Sequence, residues 1–192
     1  MTRCPWSLSG NELMKYHDKK WGVPVHSNWK WFEFVLLDVF QAGLSWNIVL
    51  KKRNNIKAAF SNFNPNKIAR YTDFYIERLL VDSRIIRNRV KITAAITNAR
   101  AFLRIRKEVG SFDEYIWSFT NGKVIHNKWE KQNNIPTHSP LSDKISKDLK
   151  QRGFCFVGTT ICYAFLQAGG IINDHIKSCF RYKELKNLSK SK

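Results

Sequence analysis

Apolar residues recur along this chain at the spacing of a helix face, and the clearest case is the segment 28–41. Phe32, Val35, Leu36, Val39 and Phe40 fall at i, i+3, i+4, i+7 and i+8, a core-facing stripe. Trp31, Phe34 and Leu37 make much of the other side apolar as well, which predicts a largely buried helix. A carboxylate within it, Asp38, then needs a physical reason to be there, because burying an unpaired charge is costly.

Start and stop signals divide the rest into further helices. Ser9 and Glu12 have capping-box spacing, opening a helix that carries Tyr16 and His17 towards Trp21-Gly22; Asn28 can cap the second helix and Ser45 the third, over 46–60. Asn64-Pro65 reads as a cap followed by proline at the first helical position, and Thr72 can cap a helix over 74–81. A long basic helix is expected over 86–108 with Gly110 as its stop, followed by a second capping-box pair, Ser111 and Glu114. The stretch 121–139 is polar and irregular and reads as a connecting loop between two lobes; Ser139-Pro140 restarts the helices. No strand alternation and no repeat is visible. The pattern predicts an all-α fold.

The last part of the chain is organised around Gly153. One helix ends there with Lys147, Lys150 and Arg152 in its last turns, a short turn follows over 154–158, and an apolar helix runs over 159–167. A tight Gly-bounded turn before a helix that opens on small residues offers backbone N–H groups to an anion; an ordinary helical hairpin is the alternative. Residues 181–192 are charged, poor in apolar positions, and expected to fray.

Composition sharpens the choice of anion. The 192 residues carry 33 Lys+Arg against 15 Asp+Glu, a net charge of +18, which points to a polyanionic partner, although a lysine-rich coding bias would contribute to it. With 43% hydrophobic residues the chain can build a sizeable core, and no apolar run approaches the ~20 residues that span a membrane. The N-terminus lacks the apolar core of a signal peptide. Four scattered cysteines favour metal ligation or buried thiols over disulfides. His175 and Cys179 sit at i and i+4, and Cys4 with His17 lies at the opposite end of the chain; together they make a possible tetrahedral metal set or, on spacing alone, ordinary core residues. Cys155 and Cys162 read as packing thiols.

Several separate motifs now agree in order: Cys4, Trp6, Tyr16-His17-Asp18, Trp21-Gly22-Val23-Pro24, Gln41-Ala42-Gly43-Leu44-Ser45-Trp46, Gly153-Phe154-x-Phe156-Val157-Gly158-Thr159-Thr160 and Asn173-Asp174-His175. Over about residues 1–180 the chain resembles the DNA-3-methyladenine glycosylase I family, within the helix-hairpin-helix DNA glycosylase superfamily. The resemblance implies a two-lobed all-α domain that removes 3-methyladenine from alkylated double-stranded DNA in the bacterial cytoplasm, acting as a monomer. It also implies a structural zinc held by Cys4, His17, His175 and Cys179. On the same basis Trp6, Tyr16, Trp21 and Trp46 would line a pocket for a flipped base, since electron-rich rings attract a cationic one. Gly43 and Leu44 would form a wedge in the duplex, and Gly153, Gly158, Thr159 and Thr160 would hold its backbone. The family's base-recognising carboxylate is usually a glutamate; here the matching residue is Asp38, shorter by one methylene. Asp174 reads as a structural neighbour of the metal set and not as a catalytic acid. The competing readings are a helix-hairpin-helix DNA-binding protein with impaired catalysis and a basic RNA- or single-strand-binding protein that uses its tryptophans as stacking platforms.

Overall fold

Ten α-helices, three short 3-10 turns and two very short strands make up the described part of the chain, residues 1–188 of this computed structural model. In order the helices are α1 (Asn11–Lys19), α2 (Asn28–Gln41), α3 (Trp46–Ala59), α4 (Pro65–Ile68), α5 (Asp73–Val81), α6 (Arg89–Val109), α7 (Phe112–Ser118), α8 (Pro140–Gln151), α9 (Thr159–Ala168) and α10 (Phe180–Leu188). None is long and apolar enough to cross a membrane.

The apolar stripe of α2 makes it the central element. Every residue from Trp31 to Phe40 is buried, and α2 packs against α3, α6, α7 and α9. Phe32 stacks edge-on against Phe102 of α6, with ring centroids 5.1 Å apart, and Phe40 against Phe60 at 5.3 Å. Truncating such a buried ring to alanine costs roughly 3–5 kcal/mol. Asp38 therefore sits on the helix that the core is packed around.

Four local expectations are corrected. Ser9 does not cap α1: it closes a 3-10 turn begun by Pro5, and Gly10 takes the cap position without a side-chain bond. Asn28 does not cap α2; its Oδ1 instead accepts from the Phe112 and Asp113 N–H groups, at 2.7 and 3.2 Å, and so helps Ser111 cap α7. The long basic helix begins at Arg89, because Asn88 accepts from the Lys91 N–H at 3.1 Å and fixes the start there. The polar stretch 121–139 holds a strand, β1 (Ile125–His126), that pairs in parallel with β2 (Ile172–Asn173). These two-residue strands are too short to leave a pattern in sequence.

The expected frayed tail is also corrected over most of its length. Residues 180–188 form α10, which buries Tyr182 and Leu185, two residues three apart on one face. Residues 189–192 of the expected tail lie outside the described residues.

Candidate active site

Cys4, His17, His175 and Cys179 come together in the core, all four buried, with their potential ligand atoms within 4.8 Å of one another. Cys4 Sγ lies 3.6 Å from His175 Nδ1, and Cys179 Sγ lies 3.5 Å from the same nitrogen and 3.4 Å from His17 Nε2. Such a set could hold a metal ion. The outer ring nitrogens are already engaged, His17 Nδ1 with Asp18 at 2.8 Å and His175 Nε2 with the Trp21 carbonyl at 3.2 Å, which fixes both rings. Asp18 is held in turn by Arg3, whose bidentate hydrogen bonds keep its carboxyl below the usual range. Gly22 lets the chain pass: a Cβ there would stand 2.9 Å from Leu185 and 3.2 Å from His175. Chain start, α1, the segment after β2 and α10 therefore converge on one point.

Asp174, next to the cluster, is fully buried. Its oxygens accept from Asn127 at 2.7 Å, Trp129 at 2.6 Å, Tyr163 at 2.6 Å and Gln167 at 2.7 Å. With its hydrogen-bonding capacity used in this way, Asp174 ties the loop before α8 to α9 and has no oxygen to spare for chemistry.

Asp38 is the opposite case. It sits in the last turn of α2 at 5% exposure, and its Oδ2 is buried with no hydrogen-bond partner among the described residues. Burial pushes its carboxyl well above the usual carboxylate range. Glu33, one turn and a half earlier, shows what pairing does. Burial alone would raise it too, but Lys30 and Arg53 outweigh that effect and hold it below its ordinary value. Asp38 faces a cleft lined by Val35 of α2, Leu149 of α8, Phe156 and Val157 of the α8–α9 turn, and Ile161, Cys162 and Phe165 of α9. The cleft measures only about 20 Å³, room for about one water.

The four aromatic residues form a chain. Trp21 meets Trp6 edge-on at 5.1 Å, Trp6 lies 6.5 Å from Tyr16, and Tyr16 lies 5.5 Å from Trp46. Trp6 and Trp21 line a separate cleft of about 350 Å³ with Gln132, Ile135, Thr160 and Gln167; Asp38 is not part of it. Burial, and then the Asp38 charge, push the Tyr16 phenol upwards, so Tyr16 and Asp38 share one environment. The Trp46 indole N–H is buried with no partner among the described residues, a second orphan polar group in this region.

Around this centre lie the turns. Gly43, at φ 74°, sets up the bend that leaves Leu44 38% exposed ahead of α3. Lys91, unremarkable in the sequence, buries its ammonium against the end of α2, donating to the carbonyls of Phe40 at 2.9 Å and Ala42 at 2.6 Å. It neutralises the negative end of that helix beside Asp38's turn. In the α8–α9 turn, Asn98 grips both backbone groups of Cys155, at 2.7 and 3.0 Å, and Ser146 donates to the Val157 carbonyl at 2.6 Å. Between these clamps Phe156 adopts φ 56°, a left-handed conformation that costs a side-chain-bearing residue roughly 1–2 kcal/mol. Thr159 Oγ1 donates to Asp143 and contacts Ser142, while Thr160 is exposed.

Comparison with known proteins places this arrangement. The family model described as methyladenine glycosylase matches residues 6–182. The chain is 46% identical over 182 residues to DNA-3-methyladenine glycosylase 1 of Escherichia coli (strain K12), covering 95% of this chain and 97% of that one. A crystal structure of 3-methyladenine DNA glycosylase I superposes with a TM-score of 0.90 at 47% identity, over 93% of this chain and 98% of the other. A tyrosine-to-phenylalanine variant of a 3-methyladenine DNA glycosylase I, solved in complex with 3-methyladenine, also superposes with a TM-score of 0.90, at 34% identity over 94% and 97% of the two chains.

Proposed function

The chain belongs to the methyladenine glycosylase family, and from that premise we propose that Asp38 is the group with which it recognises a flipped, cationic 3-methyladenine. The enzyme is a base-excision glycosylase that releases 3-methyladenine from alkylated DNA. One observation supports Asp38's role above all: it is a buried carboxylate with an orphan oxygen, on the central buried helix of the fold, with no cation among the described residues paired to it. A cationic base would supply the missing charge, and neutral adenine would supply much less, so discrimination comes from the charge the damage creates.

The chemistry needs little else from the protein. Water adds at C1′ while the C1′–N9 bond breaks, and the electron pair of that bond neutralises the departing base. The proton of the adding water passes to solvent. Because the leaving group is already cationic, no proton need be delivered to it. Tyr16, whose phenol feels the Asp38 charge, and Trp46 against it would offer electron-rich faces to the base, while Trp6 and Trp21 line the neighbouring cleft with Thr160.

In the same reading α8, the turn and α9 form the helix-hairpin-helix that holds the DNA backbone, with the free N–H groups at the start of α9 and Lys147 and Lys150 facing phosphate. Gly43-Leu44 is the wedge. The four-residue cluster fits zinc: tetrahedral bonds of about 2.3 Å to sulfur and about 2.0 Å to nitrogen put S and N about 3.5 Å apart, against the 3.4–3.6 Å found. Four protein ligands leave no open position, so the metal would join the chain ends and take no part in the reaction. We place the enzyme in the bacterial cytoplasm, where its DNA substrate is.

The experiment that tests the reading is single-turnover release of free base from a duplex carrying 3-methyladenine, across a salt series. Release that weakens steeply with salt supports it; binding without release identifies a catalytically impaired DNA-binding protein. Two variants separate backbone grip from wedge. Gly158 has no atom within 4 Å of where a Cβ would sit and holds an ordinary φ of −60°, so Gly158→Leu should fold normally yet bind every duplex about tenfold more weakly. Leu44→Ala should keep affinity for undamaged duplex and slow base release about tenfold, as read by filter binding and single-turnover kinetics.

A further inference from the structure

Resting on the reading of Gly43-Leu44 as the wedge, we infer that Lys91 is a positioning residue for base release, locking the turn that aims Leu44. The place of Lys91 in its own helix first calls for a reason. It is the third residue of α6, where the positive end of the helix dipole disfavours a cation. Its backbone N–H is used by the Asn88 cap at 3.1 Å, and only 7% of the residue is exposed. What holds the ammonium there is the end of α2, through the carbonyls of Phe40 and Ala42.

Residues 41–44 show what that grip fixes. The Leu44 N–H donates to the Gln41 carbonyl at 2.6 Å, Ala42 lies at φ −46° and ψ 116°, and Gly43 at φ 74°. A type II turn has about −60°, 120° and 80° at the same places. A type I turn keeps the same closing bond and differs in its central peptide, which is turned over. The oxygen of that central peptide is the Ala42 carbonyl, 2.6 Å from the Lys91 ammonium. Turning the peptide over would break this bond and leave the buried ammonium with one of its two partners. Gly43 permits the type II form but permits others as readily. Lys91 selects among them. Because Leu44 is the next residue, that choice sets how its half-buried side chain stands ahead of α3. The bond to Phe40 ties the same ammonium to the last turn of α2, so the wedge is held to the core. A wedge preset in this way loses less freedom when it enters the base stack.

A double-mutant cycle with Leu44 tests the link, on the full chain and a duplex carrying 3-methyladenine. Leu44→Ala alone should slow single-turnover release about tenfold. Lys91→Met should slow it about as much, while binding undamaged duplex within about twofold of wild type and with the same dependence on salt. A lysine that touched phosphate would instead lower the salt slope by about one. The double variant should be about tenfold slow and not about a hundredfold, because a mis-aimed wedge has little more to lose on truncation. Lys91→Arg, which keeps donors for both carbonyls, should stay within about threefold of wild type. Thermal melting shows which variants are folded. If Lys91→Met is not, Lys91→Gln, neutral and shorter, takes its place with the same expectations. Release at the wild-type rate by the folded, neutral Lys91 variant overturns the inference. So does a hundredfold loss in the double variant, about the product of the two single effects, which places the action of Lys91 on Asp38 or on the fold at large. Release at the wild-type rate by Leu44→Ala is a separate failure, that of the wedge reading itself.

Discussion

Asp38→Asn should give a protein that melts several degrees higher than wild type and releases 3-methyladenine about 10²–10³-fold more slowly, the size of effect seen when one preorganised electrostatic contact to a reacting group is removed. Both changes come from the same burial. The native carboxyl, raised well above its ordinary 3.8, holds its proton more tightly than the unfolded chain does. Native protein thus carries more bound protons between those two values, and stability falls as pH rises from about 4 through the native pKa. Above that point the whole penalty is present. Asparagine has nothing to ionise, so the variant should lose this decline, and the gap in Tm should widen with pH; for a chain of this size about 1 kcal/mol is worth ~2–4 °C. Activity runs the other way. The ionised form is the one that complements a cationic base, so kcat/KM of wild type should drop on the acid side, with a limb that Asp38→Asn lacks. Asp38→Glu should release base at least as fast as wild type, because the added methylene brings the carboxylate further into the cleft. Thermal unfolding and single-turnover release, each followed from pH 5 to 9, check the pair. If Asp38→Asn matches wild type in release, the aspartate is structural and recognition lies elsewhere.

Asp38 stands out in the amino-acid sequence alone because its background there is so regular. The 3.6-residue stripe of α2 identifies a buried helix, and a carboxylate inside it breaks the pattern. Asn64-Pro65, Gly110 and Ser139-Pro140 mark helix ends because their chemistry is local: each cap is satisfied within a few residues. Features without such a local signature depend on partners far along the chain. Asn28 looks like a cap for its own helix, and its acceptor is instead used 84 residues away. Lys91 is one of many lysines until its ammonium meets the carbonyls of Phe40 and Ala42. In α10, Tyr182 and Leu185 are buried under a run of charge that makes the segment look solvated. The cluster of Cys4, His17, His175 and Cys179 joins residues up to 175 positions apart; spacing leaves it open, and only the family resemblance indicates it. The small volume of the Asp38 cleft leaves no trace in sequence, since it is set by how the turn at Phe156 folds back over α2.

Removing the metal should have the largest structural effect. We expect one equivalent of zinc per chain by elemental analysis, and its removal by a strong chelator should lower Tm by on the order of 10 °C, the equivalent of about 3–5 kcal/mol. The reasoning is the same as for any buried polar set that loses its partner. Two imidazoles and two thiols, all buried, face one another across 3.4–3.6 Å, and without a cation they must compete for few protons in an apolar setting. What they join is the start of the chain and its last described helix, so loosening should be local. Hydrogen exchange should rise first at residues 2–10 and 176–188, where the Phe180 N–H bonds the Thr2 carbonyl and Leu185 packs over Gly22, and the amides of α2 and α6 should stay protected. Cys179→Ala should reproduce the loss of stability and the pattern of exchange. Below its own melting temperature it should still release base within about tenfold of wild type, because Asp38, Tyr16 and Trp46 are anchored by α1, α2 and α3 and not by the cluster alone. Protein prepared without chelators that contains no metal, or a Cys179→Ala variant as stable as wild type, would show that the four side chains are merely packed together.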